Sequence, residues 1–198
     1  MIVTAAAAPP PPAAATLTLS ASRTTLVYGG SLALEGEHSS GNAGEAVEVL
    51  AAPSATTAVA AMTKVAETTT TAGAAFHVVV KPRLRTIYRV RWKTTTSGRV
   101  AVAVRPRVGL GIVSVGRGMF STRVTSDHAN AGRTVWFQRR GRFGQWVSIK
   151  RVRLGRVGTA RFRAQLPRGV SRVRVYMAAA QAGPGYIAGI SPNRLIRR

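Results

Sequence analysis

The stretch of residues 73–92 constrains the fold more than any other part of the chain. It contains two runs in which apolar and polar side chains alternate with a period of two, as in a strand with one buried face. The apolar positions of the two runs are Phe76, Val78, Val80, Tyr88, Val90 and Trp92. Pro82 separates the runs, because proline has no N–H to donate to a β-ladder. The stretch therefore predicts an antiparallel strand pair with one buried and one charged face.

A degenerate copy of this stretch begins at Gly158. Phe162 stands in the place of Phe76, and Pro167 stands in the place of Pro82. Matching positions in the two halves lie 85 to 88 residues apart, and the drift indicates loops of different length between matching strands. A repeat of this length is longer than a solenoid unit, so it predicts two tandem domains.

Each half contains a series of short alternating runs separated by turn signals, without a helical period in the first half. That pattern is typical of an antiparallel β-sandwich, so the predicted fold class is all-β. Pro106 marks the boundary between the predicted domains, which span residues 16–105 and 106–198. The short link predicts limited freedom of one domain relative to the other.

Residues 1–15 are rich in alanine and proline, and we expect them to be disordered. Two interpretations stay open. The segment is the remnant of an export signal, since residues 5–8 resemble a cleavage region although a basic n-region is missing. Alternatively, it is a stiff, extended linker. An apolar run of about 18 residues does not follow, so the sequence predicts no membrane span.

The charge is strongly positive and unevenly distributed. Lys plus Arg is 29 and Asp plus Glu is 6, which gives +23. Residues 1–104 carry net +4, whereas residues 105–198 carry net +19 with Asp127 as their single acidic residue. Arginine supplies 25 of the 29 basic side chains, which suits bidentate contact with phosphate and carboxylate groups. A codon bias toward Arg, Ala, Gly, Val and Pro explains the same composition, and both interpretations stay open.

Short motifs stand at matching places in the two halves. The first half has YGG at residues 28–30, GEAV at 44–47 and TIYRVR at 86–91, and the second has GRTVWFQR at 132–139 followed by Trp146. These motifs resemble those of bacterial Ig-like domain repeats in secreted and cell-surface proteins, over residues 16–198. The resemblance implies two immunoglobulin-like sandwiches with a spacer, adhesive or stalk function, and it carries over no catalytic residues. The Cys…Trp…Cys pattern of antibody domains is missing.

The residue inventory does not contain a recognisable catalytic constellation. Paired carboxylates need two acids on one face, and the second half has only Asp127. Asp127 and His128 are adjacent, so they cannot readily orient one another as a Ser-His-Asp triad requires, and a loop turn is the better interpretation. Dispersed histidines, the absence of cysteine and the absence of acidic clusters argue against zinc and calcium sites. We therefore expect no enzyme activity, no metal and no cofactor.

One predicted hairpin brings aromatic and polar side chains to a single face. Its strands, residues 133–139 and 145–150, pair Arg139 with Gln145 and Gln138 with Trp146. The expected inner face holds Val135, Phe137, Val147 and Ile149. The expected outer face holds Trp136, Gln138, Trp146, Ser148 and Lys150.

On this outer face the two tryptophans become diagonal neighbours that reach each other. Together they could stack a sugar ring or a base. The candidate ligand-contact residues are Trp136, Trp146, Gln138 and Lys150. The alternative is that the two rings pack on the other domain, on a loop or on arginine stems.

A second group of candidate residues is basic. Arg161, Arg163, Arg172 and Arg174 point outward by alternation, and Arg139, Arg140 and Arg142 lie at a predicted hairpin tip. These seven arginines are the candidate contacts for a polyanion. The alternative is a solvated charged face that protects sheet edges from aggregation.

The function that these observations favour is a non-enzymatic, exported structural or adhesive module, secreted or at the bacterial cell surface. The second hypothesis is a binding module for anionic polymers through the basic second domain. Its partners would be an anionic polysaccharide or a cell-wall polymer, and nucleic acid only without sequence specificity. We expect a monomer.

Overall fold

The computed structural model describes residues 15–53 and 59–198, and most of these residues lie in β-strands. The strands of the first half are β1 Ser20–Ala21, β2 Thr25–Val27, β3 Leu32–Glu37, β4 Ala46–Pro53, β5 Thr63–Thr69, β6 Ala75–Val80, β7 Thr86–Trp92, β8 Thr95–Thr96 and β9 Val100–Arg105. Those of the second half are β10 Arg107–Ser114, β11 Met119–Thr125, β12 Thr134–Arg140, β13 Trp146–Arg153, β14 Thr159–Arg163, β15 Val170–Met177, β16 Gly189–Ile190 and β17 Arg194–Arg197. Within the described ranges the helical elements are two 3₁₀ turns, Val59–Ala61 and Ala72–Ala74, and one α-helix, α1 Ala179–Ala182.

Two sheets make up the first half. One is antiparallel, with the order β1-β3-β6, and the other has the order β2-β9-β7-β4-β5 with β8 attached to β7. In the second sheet β2 runs parallel to β9, and its other pairings are antiparallel. Val49 on β4 lies opposite Val90 on β7, and both side chains are fully buried. The alternating apolar residues of these strands thus form the inner face of the sheet, as their period predicts.

The second half repeats this arrangement. One sheet has the order β10-β11-β14, and the other has the order β13-β12-β15, with β16 and β17 both paired to β15. Strands β10, β11 and β14 correspond to β1, β3 and β6, and strands β13, β12 and β15 correspond to β5, β4 and β7. Phe76 on β6 and Phe162 on β14 are equivalent and both buried, which confirms the predicted internal repeat.

Two facing, mainly antiparallel sheets in each half, with the chain passing between them, form an immunoglobulin-like sandwich. The predicted fold class, two tandem immunoglobulin-like β-sandwiches, is therefore confirmed. β9 ends at Arg105 and β10 begins at Arg107, on either side of Pro106. The division into independently folding domains at this point stays a prediction.

Each sandwich encloses an apolar core. Phe76, Val80, Tyr88, Val90 and Trp92 belong to the first core, with Val78 packed against it. Phe137, Phe162, Val173 and Val175 belong to the second core, with Ile149 packed against it. The buried face predicted for residues 73–92 is thus confirmed. Val104, at the end of β9, is fully buried in the second core, so the first sandwich completes the core of the second.

The chain between β15 and β17 differs from the expectation. The apolar residues from Tyr186 to Ile190 predict a further strand, whereas α1 is followed by a loop and strand structure resumes only at β16. Pro184 lacks a backbone donor, and its neighbours Gly183 and Gly185 have positive φ angles of 93° and 77°. Such a run interrupts strand structure before Tyr186. The N–H of Ile187 then donates a hydrogen bond to the carbonyl of Val104 in the first sandwich, and pairing with β15 begins only at Gly189. The prediction made for residues 1–15 falls, except for Ala15, outside the described residues.

Candidate binding surface and the junction between the sandwiches

The outer face of the sheet formed by β12, β13 and β15 carries a set of aromatic and polar side chains, here called the Trp–Arg surface. Its members are Trp136, Gln138, Trp146, Arg174 and Tyr176. On neighbouring strands Trp136 lies opposite Tyr176, and Gln138 lies opposite both Arg174 and Ser148. The alternation of each strand places these residues on the outer side, while Val135, Phe137 and Val175 are fully buried on the inner side.

Arg174 is held at the centre of this surface. Its Nε donates a 2.8 Å hydrogen bond to Gln138 Oε1, and Gln138 Nε2 donates a 3.1 Å hydrogen bond to Ser148 Oγ. The guanidinium carbon lies 4.0 Å from the centroid of the Trp146 ring, the geometry of a cation–π contact. Partial burial lowers the pKa of Arg174 below its ordinary value, and Tyr176 acts in the opposite direction. Arginine keeps its charge at neutral pH nonetheless, because its ordinary pKa is so high.

The register predicted for the β12–β13 hairpin was wrong. Trp146 pairs with Arg140, and Ser148 pairs with Gln138. The strand continues through Arg140, because a 2.7 Å hydrogen bond from the N–H of Gly141 to the carbonyl of Gln145 closes the turn one residue later than expected.

A β-bulge between Phe137 and Gln138 then changes the pairing along the rest of the hairpin. Trp136 consequently lies opposite Arg151. Val147, predicted to face the core, pairs with Arg139 on the turn side of the bulge and is 40% exposed at this edge of the sheet. The two tryptophans therefore do not become the diagonal neighbours that the sequence predicted. The Trp136 ring pairs with Tyr176 instead, with centroids 6.3 Å apart. Trp146 packs on the Arg174 side chain, one of the alternatives that the sequence left open.

Lys150 lies apart from the Trp–Arg surface. It stands opposite Phe137 at the bulge and lines a cleft at the edge of the sandwich together with Arg117 and Arg163. The other arginines proposed from the sequence differ in exposure: Arg140, Arg142, Arg161, Arg163 and Arg172 are exposed, whereas Arg139 and Arg174 are half-buried. Whether these residues contact a ligand stays a prediction.

A second cluster connects the two sandwiches and is called the junction here. It comprises Tyr28, residues 83–85, Val104, Asp127 and residues 185–187. The ring of Tyr28 packs edge to face on Tyr186, and the hydroxyl of Tyr28 donates a 3.4 Å hydrogen bond to Asp127 Oδ1. Arg83 Nη1 lies 3.3 Å from the same carboxylate oxygen. The single acidic residue of the second half is thus engaged by the first.

Backbone groups also pair across the junction. The N–H of Arg85 donates a 2.8 Å hydrogen bond to the carbonyl of Gly185, and the N–H of Ile187 donates a 3.0 Å bond to the carbonyl of Val104. Within the second sandwich the N–H of Asp127 donates a 2.8 Å hydrogen bond to the Tyr186 hydroxyl. Main-chain pairing of this kind fixes the distance and orientation of the two segments that it joins.

The described residues contain neither a metal-binding cluster nor a membrane-spanning helix. Across residues 15–53 and 59–198, His, Cys, Asp and Glu side chains do not gather in threes in a way that could hold a metal ion. The helices in these ranges are too short or too polar to cross a membrane.

The comparisons with known proteins concern solved structures. Neither a protein-family model nor a curated protein matches the chain. A tetra-tandem repeat in the extending region of a large adhesion protein aligns over 92% of this chain and 49% of its own, with 14% identity and a TM-score of 0.39. The D0-D1 domain of intimin aligns over 92% of this chain and 97% of its own, with 10% identity and a TM-score of 0.32. The chain thus spans about half the length of the first of these structures.

Sequence reasoning missed two features of these surfaces. Tyr176 continues the alternation of Arg172 and Arg174 on β15, so the outer row could have been extended to include it. The junction tyrosines carry no such signal, because Tyr28 and Tyr186 meet only through the docking of one sandwich on the other.

Proposed function

We propose that the protein is a non-enzymatic structural module, secreted or displayed at the bacterial cell surface, in which two immunoglobulin-like sandwiches form one stiff spacer or adhesive unit. The observation that carries the proposal is the junction. Domains joined within one chain move relative to each other by default unless their interface is extensive and apolar. Here the interface includes a buried valine, two packed tyrosine rings and paired backbone groups.

The link between the sandwiches adds to this stiffness. Pro106 is the only residue between β9 and β10, and its ring fixes one backbone angle. Val104 precedes it by two residues and is inserted into the second core. Tyr28 and Leu84 of the first sandwich pack against the same core. A hinge motion would have to pull all of these side chains out of apolar surroundings, which is costly.

The experiment that tests the spacer function is ¹⁵N relaxation of the full chain. Two sandwiches locked by the junction tumble as one body, so both should give the same rotational correlation time. A chain with Tyr28→Ala and Leu84→Ala should show two separate, shorter correlation times. Independent tumbling of the sandwiches in the unaltered protein would remove the basis for a stiff spacer.

A second candidate function is the binding of an anionic polymer by the second sandwich. The favouring observation is that Asp127, the single acid in residues 105–198, is already engaged by Arg83 at 3.3 Å. The remaining cations of this sandwich therefore repel one another, and a polyanion would relieve that repulsion. A salt titration of heparin binding tests the idea, since neutralising several anionic groups makes the affinity fall steeply with salt. Affinity that does not change with salt would exclude it.

A further inference from the structure

The two sheets of the second sandwich meet along one side, where β13 and β14 are edge strands that lie next to each other. A cleft of about 420 Å³ opens there, here called the edge cleft. Its polar lining residues are Arg117, Lys150, Arg163, Gln165 and Arg198, and Gly118, Ile149 and Ala164 complete the wall. Four cations and one amide thus share a single concave site.

No acidic side chain of the second sandwich balances this concentration of positive charge. Asp127 is the single acid of residues 105–198, and it follows β11 at the junction end of the sandwich. Arg117 lies in the turn before β11, at the opposite end of that strand. A seven-residue strand is roughly 20 Å long at about 3.3 Å per residue. That separation exceeds the screening length of about 8 Å at physiological salt, so Asp127 does not neutralise the cleft.

The cationic side chains are partly fixed in position. Arg198 Nη1 donates a 2.9 Å hydrogen bond to the carbonyl of Leu166, and Arg163 Nε lies 3.3 Å from Met119 Sδ. Gly118 adopts a φ of +60° in the turn that carries Arg117, and a Cβ at this glycine would lie 2.6 Å from the Ala164 carbonyl oxygen. The turn therefore packs directly on the chain after β14. Groups held in place before binding lose less entropy when a ligand arrives.

We propose that the edge cleft binds an acidic polysaccharide, a chain that presents carboxylate or sulfate groups beside hydroxyl groups. The proposal rests on the second candidate function, the binding of an anionic polymer, and assigns that binding to the edge cleft. Guanidinium groups form bidentate, charge-assisted hydrogen bonds with such anions, and the Gln165 amide can pair with a sugar hydroxyl. The cleft has no aromatic side chain in its wall, so it offers nothing on which a nucleobase could stack.

The test compares two double variants of the full chain that lose the same charge. Arg117→Gln with Lys150→Gln removes two cations from the edge cleft. Arg123→Gln with Arg156→Gln removes two exposed cations near the junction end of the same sandwich. Binding is measured by calorimetry with polygalacturonate and heparin, and with duplex DNA and polyglutamate for comparison. We expect the cleft variant to bind both polysaccharides about tenfold more weakly, or worse, and the control about threefold at most.

Each other outcome has a definite meaning. Equal losses of affinity in the two variants would overturn the proposal that the edge cleft is the binding site. Polyanion binding by the second sandwich as a whole would then still stand. No binding of any polyanion by the unaltered chain would overturn both proposals. A further outcome is that DNA or polyglutamate binds more tightly than either polysaccharide and loses affinity in the cleft variant. That result would overturn the proposal that the ligand is an acidic polysaccharide. All four replaced side chains are exposed, so thermal unfolding should change little, and Lys150→Glu offers a further check because it should weaken binding beyond Lys150→Gln.

Discussion

The ring of Tyr28 lies edge to face against the ring of Tyr186, with centroids 6.4 Å apart and an interplanar angle of 67°. The contact joins the two β-sandwiches through two residues that lie far apart in the chain. Edge-to-face pairs contribute about 0.5–1.5 kcal/mol beyond the area that they bury. A double-mutant cycle of Tyr28→Ala and Tyr186→Ala in urea unfolding should therefore give a coupling free energy of about 1 kcal/mol.

The neighbouring ion pair serves as the control for that cycle. Arg83 Nη1 lies 3.3 Å from Asp127 Oδ1, but the arginine side chain is 76% exposed. Exposed pairs typically contribute about 0–1 kcal/mol. The Arg83→Ala, Asp127→Ala cycle should give a smaller coupling that declines further in high salt. A larger coupling for the ion pair than for the tyrosines would mean that charge, and not packing, holds the junction.

A second prediction concerns the independence of the two cores. Val90 is fully buried in the first core, so Val90→Asp should cost several kcal/mol and unfold the first sandwich. The second sandwich should stay folded but melt at a lower temperature, because Val104 would leave its core. Methyl NMR spectra at increasing temperature report on both cores. Val27→Asp, at a position 45% exposed on β2, is the matched control and should leave both cores folded. Simultaneous loss of both cores in Val90→Asp would show a single cooperative unit.

The fold was predictable because burial on one face imposes a period of two on each strand, and that period is visible in residues 73–92 and again near Phe162. The register of the β12–β13 hairpin was not predictable. The bulge after Phe137 and the turn after Arg140 depend on local backbone geometry, which apolar alternation does not encode. A shift of two residues at the tip keeps every side chain on its face, so the sequence pattern cannot detect it.

Side-chain packing between segments that are distant in the chain was also not predictable from the sequence pattern. His38 stands in a polar, Gly- and Ser-rich stretch of the sequence, yet it is buried and stacks on Trp92 with ring centroids 4.3 Å apart. Arg174, assigned to an outward position, is held by Gln138 and Trp146. Alternation predicts the face of the sheet to which a residue belongs. It does not predict which neighbours a long side chain contacts on the adjacent strands.

A third prediction follows from Gln138, which is 8% exposed and bonded to both Arg174 and Ser148. Gln138→Ala leaves a partly buried guanidinium without its acceptor, at a cost of about 1–3 kcal/mol in urea unfolding. Gln138→Glu keeps an acceptor for Arg174 Nε and should recover most of that loss. Gln145→Ala, at an exposed position near the hairpin turn, should change the free energy of unfolding by less than about 0.5 kcal/mol. Equal losses of stability at both positions would contradict a stabilising role for the hydrogen bonds that Gln138 makes with Arg174 and Ser148.

A fourth prediction tests ligand stacking on the Trp–Arg surface. Trp136 is half-buried beside Tyr176, so part of its ring faces solvent. If it stacks a base, Trp136→Ala should weaken binding of a single-stranded oligonucleotide by about 1–3 kcal/mol and leave duplex binding nearly unchanged. Fluorescence anisotropy with one sequence in both forms measures the difference, and Trp136→Phe should retain most of the affinity. An equal loss for both forms would exclude stacking.

The last prediction is an alkaline loss of stability caused by Tyr88. Burial raises the pKa of Tyr88 to about 12, although a hydrogen bond with Thr86 acts in the opposite direction. In the unfolded chain the tyrosine pKa is about 10, so between pH 10 and 12 the folded state retains a proton that the unfolded state has lost. The stabilisation is complete below about pH 10 and disappears as the pH rises through the folded pKa, by about 3 kcal/mol in all. Burial also raises the pKa of Tyr186, which adds a change in the same direction.

Urea unfolding at pH 9.5, 10.5 and 11.5 measures this loss. The free energy of unfolding should therefore decline more steeply with pH for the unaltered chain than for Tyr88→Phe. Identical slopes would mean that the Tyr88 hydroxyl reaches water in the folded state.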